Sequence, residues 1–227
     1  MAGGVLAGCG SEPAPAPAPS LPSPSSVALG REAVAADYSW FAQVGDLRKG
    51  FCFVWVGNVR PAQVLERMGA KELERIGWQQ MVGAGDGQRG AIEKYYFGVS
   101  RLDDSWSLVV EDNGTLGLAD ELLRPLSVGT TVVCLYRGAD GRGRFLVLED
   151  EAVQLALDPM EAGRRTGAKA SELGTQIAAA GLGGSADPTA AGFALAERLT
   201  GVRLSLEMLQ ERTYLFSEVP TGQRKSQ

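Results

Sequence analysis

The chain contains no histidine. Imidazole is the usual base of serine and cysteine triads, a common ligand of zinc and haem, and the side chain that moves protons near neutral pH. Those chemistries are therefore excluded in their ordinary forms. Cysteine is scarce. Three residues, Cys9, Cys52 and Cys134, are too few for a four-cysteine zinc or iron–sulfur centre within one chain. No apolar run reaches the ~18 residues of a spanning helix. Positive charge is in deficit: 22 lysines and arginines against 27 aspartates and glutamates leave a net charge of -5. That balance disfavours nucleic acid and anionic lipid as partners. What remains is 227 residues, 44% hydrophobic, enough for one sizeable core.

The first thirty or so residues differ from the rest. Six of the eleven prolines lie between Glu12 and Pro24, most of them alternating with alanine or serine. Proline fixes φ and removes a donor, so this run enters neither helix nor sheet ladder and predicts an extended, disordered tether. Just before it stands Leu6-Ala7-Gly8-Cys9, followed by Gly10-Ser11. This is the form of a bacterial lipobox, in which small residues expose the backbone to a peptidase and the thiol takes the lipid. A full export signal also needs a positive segment and ~7–15 apolar residues before the cysteine. Only Met1 to Gly8 precede Cys9, without lysine or arginine, so the reading requires an earlier start. The expected organisation is a signal-like start and disordered tether over 1–30, one domain over 31–220, and a disordered tail over 221–227.

From Arg31 the pattern is mixed. Gly50 to Gly57 is a continuously apolar run rich in aromatic and β-branched residues, as in a buried strand. Pro61 opens a helix through Val64, Leu65 and Met68, with Gly69 closing it. Strands are predicted over Ile92–Val99, Trp106–Val110, Thr131–Arg137, Arg144–Leu148 and Ala152–Leu157, with no strand after that. Asn113-Gly114, Asp140 to Gly143 and Asp150-Glu151 are turns. Ala119–Arg124 reads as a helix stopped by Pro125, and Ser171–Ala180, Thr189–Thr200 and Ser205–Glu211 as three more. Strands joined by hairpins imply an antiparallel meander rather than βαβ units. The fold class is α+β: a mostly antiparallel meander sheet of about five to seven strands, packed with C-terminal helices. Glu149 and Gln154 suggest faces that alternate polar and apolar.

Few residues carry a chemical signal. Glu111 and Asp112 end one strand whose start is preceded by Asp103 and Asp104. A carboxylate pair can serve as acid and base or hold a hard cation, but the two pairs stand ~23 Å apart along an extended strand. Turn-capping, solvated carboxylates explain them better. Gly85-Asp86-Gly87-Gln88-Arg89-Gly90 matches a dinucleotide-binding glycine pattern, yet a predicted strand follows where that motif needs a helix. Cys52 and Cys134 read as buried thiols, and as a disulfide if the domain is exported. Trp55 and Trp106 lie in strand patterns and belong to the core. Trp78 reads as the more exposed ring, a platform for a sugar or base. In the helix over Thr189–Thr200, Phe193, Ala196 and Leu199 form the packed face and Glu197 and Arg198 point away.

Several segments together resemble an actinobacterial family, domain of unknown function sixty-four sixty-one. They are Asp37 to Phe41, Cys52 to Ala70 with Pro61, Val64, Leu65, Arg67 and Gly69-Ala70, then Trp106 with Glu111 to Gly114, Leu126 to Thr130, and Ala194 to Val202. The ordered set, running from Asp37 to Pro220, carries the resemblance. It implies no activity, ligand or catalytic residue. The expected function is a non-enzymatic binding or scaffold domain without cofactor or metal, held to the extracytoplasmic face of a membrane only through lipid on Cys9. One alternative is a cytoplasmic, immunity-like or regulatory module that binds a protein partner. The other is a hydrolase using Glu111 or Asp112.

Overall fold

The structure is a computed structural model that describes Met1, residues 32–82 and residues 94–221. The lipobox-like Cys9, the proline run, the Gly85–Gly90 motif and the tail from 222 onward lie outside the described residues. In chain order the strands are β1 (Phe51–Gly57), β2 (Lys71–Gly77), β3 (Lys94–Arg101), β4 (Trp106–Asp112), β5 (Thr131–Arg137), β6 (Gly143–Glu149), β7 (Ala152–Leu157), β8 (Arg165–Thr166) and β9 (Thr213–Pro220). They form one sheet ordered β2-β9-β3-β4-β1-β5-β6-β7-β8. Every neighbouring pair in it is antiparallel. The class is α+β, with more strands than the sequence suggested.

Two strands escaped the sequence reading. β2 is Lys-Glu-Leu-Glu-Arg-Ile-Gly, a charged string resembling an exposed helix, but it forms a sheet edge with five of its seven residues exposed. Charge on an edge strand also blocks pairing with a second sheet. β9 follows the C-terminal helices and inserts between β2 and β3, partners more than 100 residues earlier in the chain. The expectation that strands stop after Leu157 is corrected accordingly.

The sheet is buried on both faces, not one. Along β1, Phe51, Phe53 and Trp55 enter one core and Cys52, Val54 and Val56 the other, so the strand shows no polar alternation. The first face is covered by α2 (Trp78–Met81), α4 (Gly174–Ala180), α5 (Pro188–Thr200), α6 (Leu206–Gln210) and the 3-10 segment Ala35–Gln43. The second is covered by α1 (Pro61–Met68) and α3 (Asp120–Leu126). Pro125 lies inside α3 rather than after it. Near the end of a short helix, its missing N–H removes at most one bond.

Helix α5 is the pillar of the first face. Asp187 caps its start by accepting from Ala190 N at 2.8 Å, Pro188 supplies a preset φ, and Gly201 closes it in the left-handed conformation. Phe193 lies among the rings of Tyr38, Trp40, Phe41, Phe51, Phe53 and Trp55, with centroids 5.1–6.2 Å away. The Ala35–Gln43 segment packs over the helix's outer side. Glu197 and Arg198 therefore do not simply face water. Glu197 accepts from the Tyr38 hydroxyl at 2.8 Å, while Arg198 holds Glu32 and the Ala33 carbonyl.

Candidate functional site

The two faces differ at the sheet end where β1 begins and β5 finishes. Strand register sets two adjacent rows across this end. On the second face, Glu111, Cys52, Tyr136 and Arg144 are successive partners across β4, β1, β5 and β6. On the first face the row is Asp112, Phe51, Arg137 and Gly143.

The first row is sealed. Glu111 is 0% exposed, and its Oε2 accepts from Leu116 N at 2.8 Å. The expectation that it is a solvated strand-end carboxylate is corrected. The chain after β4 folds back over Glu111, and Gly114 lies against its carboxyl with no room for a Cβ. Cys52 and Cys134 are free and buried, with sulfurs 3.7 Å apart in an S–H···S contact. An S–S bond is about 2.05 Å long, so a bridge requires further approach. Burial, then the hydrogen bond with Cys134, pushes the Cys52 thiol well above its ordinary value, the opposite of an activated nucleophile. Arg144 closes the row by pairing with Asp120 at 2.7 Å and donating to the Gly117 carbonyl. Burial alone would raise the Asp120 carboxyl, but the bonds and charges of Arg144 and Arg124 bring it below the usual carboxylate range.

The second row opens. Beyond Phe51 and Arg137 lies a cavity of about 310 Å³, lined by Phe51, Leu135, Tyr136, Gly141, Gly143, Pro159, Met160, Pro188 and Thr189, with Arg137 and Asp187 as its charged members. Three distant pieces build it: the β5–β6 turn, the 3-10 segment Pro159–Glu161, and the start of α5. Asp158 fixes the second piece, accepting from Met160 N at 2.9 Å and from Gly143 N at 3.4 Å. Asp187 is used by its own cap on Ala190. Arg137 is half-buried, and its guanidinium donates to the buried Thr189 hydroxyl at 3.3 Å. Among the described residues no carboxylate pairs with it. Among other partly buried arginines, Arg144 and Arg198 meet the carboxylates of Asp120 and Glu32, whereas Arg101 and Arg212 donate to the Val59 and Leu102 carbonyls.

One family model, described as a family of unknown function, matches the sequence from residue 31 to residue 224. The chain belongs to the DUF6461 family. No curated protein and no solved structure matches this DUF6461 chain.

The remaining sequence-derived candidates in the DUF6461 domain are scattered. Asp112 is nearly buried and lies across Phe51 from Arg137 without lining the cavity. Trp78 is 4% exposed, correcting the exposed-platform reading: α2 turns its ring under the sheet, 6.0 Å from Tyr214. Only its edge reaches a separate polar groove shared with Gln43, Asp46, Gln79 and Gln210. Asp103 accepts from Ser105 N and Trp106 N, an ordinary turn. Among the described residues no group of three or more cysteine, aspartate or glutamate side chains is arranged to hold a metal ion. The sequence reading missed Arg137. One arginine at a strand end carries no local signal, and its cavity needs Pro159 and Pro188, from segments much later in the chain.

Proposed function

We propose that this DUF6461 chain is a non-enzymatic binding module whose ligand site is the cavity above Phe51 and Arg137. The single observation that carries the reading is a half-buried guanidinium, with no carboxylate partner among the described residues, set in a mostly apolar preformed cavity. Ligand pockets have this composition: apolar walls with a few fixed polar groups. With the Thr189 hydroxyl as its one polar partner among the described residues, the Arg137 guanidinium keeps N–H donors for a ligand. Glu111 and Cys52 support the non-enzymatic part: the carboxyl is enclosed and bonded to Leu116 N, and burial raises the thiol.

The test is methyl-observed NMR with indole as a neutral probe. The expected result is saturable shifts confined to the Leu135, Met160 and Thr189 methyls, abolished by Met160→Trp at the rim. No shift, or shifts at another place, refutes the reading. The Leu6 to Cys9 sequence supports a further part of the proposal, that lipid on Cys9 holds the module at the extracytoplasmic face of a membrane. Metabolic labelling with palmitate should tag the native gene product, and Cys9→Ser should abolish the tag. An untagged native protein refutes the anchor.

A further inference from the structure

We infer that the cavity takes a compact organic monocarboxylate with an apolar body, which deepens the binding reading above and rests on it. Three features select this class. The first is size. A cavity of ~150 Å³ holds one benzene ring, so about 310 Å³ holds roughly a dozen non-hydrogen atoms. The second is the wall. Met160 and Pro188 offer accessible apolar surface above a floor of buried Phe51, Leu135 and Pro159, which a bare inorganic anion does not use. The third is charge. Arg137 offers a planar fork that matches a carboxylate. Asp187 stands on the same cavity, and Asp158 holds its Pro159 side. Both carboxylates are fixed by backbone N–H groups and are not free to swing away. One negative charge on the ligand is matched by Arg137, whereas a second would meet these aspartates.

Calorimetry on the full chain with 3-phenylpropanoate, its neutral isostere 3-phenylpropanamide and inorganic phosphate tests the assignment. The acid should bind at least about tenfold tighter than the amide, the usual worth of a charge-assisted pair. Phosphate should not compete. Arg137→Gln should bring acid and amide to equal affinity, and Arg137→Lys should restore part of the preference. Thermal melting of each variant reports on its fold; if Arg137→Gln does not fold, the acid–amide comparison on the unaltered chain decides alone. Equal affinity for acid and amide overturns the ligand class while the cavity reading stands. Tighter binding of phosphate also overturns the class. Absence of binding by both organic probes overturns the class and the binding reading together.

Discussion

Gly114→Ala probes the sealed side of the sheet. Gly114 is not among the glycines of positive φ, so alanine fits its backbone. Restricting the unfolded chain would then favour alanine by about 0.4–1 kcal/mol. Against this, the new Cβ would overlap the Glu111 carboxyl, inside the 3.0 Å that real Cβ atoms do not enter. On a surface, a carboxyl at the end of a flexible side chain would swing aside at little cost. Glu111 is fully buried, and its Oε2 holds Leu116 N at 2.8 Å. Displacing it breaks that bond and orphans a buried N–H, costing about 1–3 kcal/mol. Overpacking adds about 1–3 kcal/mol. The net expectation is a loss of about 1–6 kcal/mol. At about 2–4 °C per kcal/mol for a domain of this size, the melting temperature falls by roughly 2–22 °C.

Differential scanning calorimetry measures that fall, with Gly163→Ala as the control. Gly163 has open space around it and no positive φ, so its variant should melt within about 0.5 kcal/mol of the parent. A double-mutant cycle isolates the cause. In a Glu111→Ala background the obstructing carboxyl is gone, and Gly114→Ala should cost less than about 1 kcal/mol. An equal cost in both backgrounds would refute the close approach of Gly114 to Glu111. An unchanged melting temperature would refute the burial argument itself.

Two further outcomes follow from the buried groups. In a Cys9→Ser chain, Cys52 and Cys134 should be silent to Ellman's reagent under native conditions and both react in denaturant, because burial holds the Cys52 thiol protonated. Fast stoichiometric labelling of the native protein would contradict the sealed pair. Burial, then the bond to Glu197, raises the Tyr38 hydroxyl far above the ordinary 10.0. Burial also raises Tyr214, which donates to the Leu209 carbonyl at 2.8 Å. Because both folded values are raised, their contribution to stability is fully present below pH 10.0 and is lost as pH rises from there toward the folded values. Tyrosinate absorbance and circular dichroism should therefore change together above that pH. Tyr38→Phe and Tyr214→Phe should each flatten the alkaline slope of stability, and a slope unchanged in both variants would contradict the assignment.

Where local chemistry decides the structure, the sequence was legible. Pro61 and Gly69 bound α1, Pro188 and Gly201 bound α5, and Asp150-Glu151 forms the β6–β7 turn with both residues at positive φ. Where distant pairing decides, it was not. β2 carries a helix-like charge pattern because an edge strand covers nothing on its open side, and β9 pairs with β2 and β3, which lie more than 100 residues earlier in the chain. Asn113-Gly114 shows the division within one dipeptide. Asn113 takes the positive φ that the turn requires, as turn chemistry predicts. The glycine, however, is needed for room beside Glu111, a contact that no turn rule contains.

The same division explains why the cavity was invisible in the sequence and why the visible candidates lie apart from it. Glu111, Asp112, Cys52, Cys134 and Trp78 drew notice because each residue type carries chemistry in other settings. In this fold the sheet is covered on both faces, so side chains along its central strands are enclosed whatever their type. Access survives where the covering layers stop, at the strand ends. There the covering elements of the first face, the start of α5 and the Pro159 turn, meet the β5–β6 connection without filling the space between them. At such an end, a partly buried guanidinium bonded to one hydroxyl keeps donors that a ligand oxygen can accept from. Arg137 occupies that position with only a threonine hydroxyl as partner among the described residues. The physical content of the binding proposal is thus one of place: Glu111 and the two thiols are enclosed, while Arg137 stands at an opening with apolar walls and one hydroxyl as its partner among the described residues.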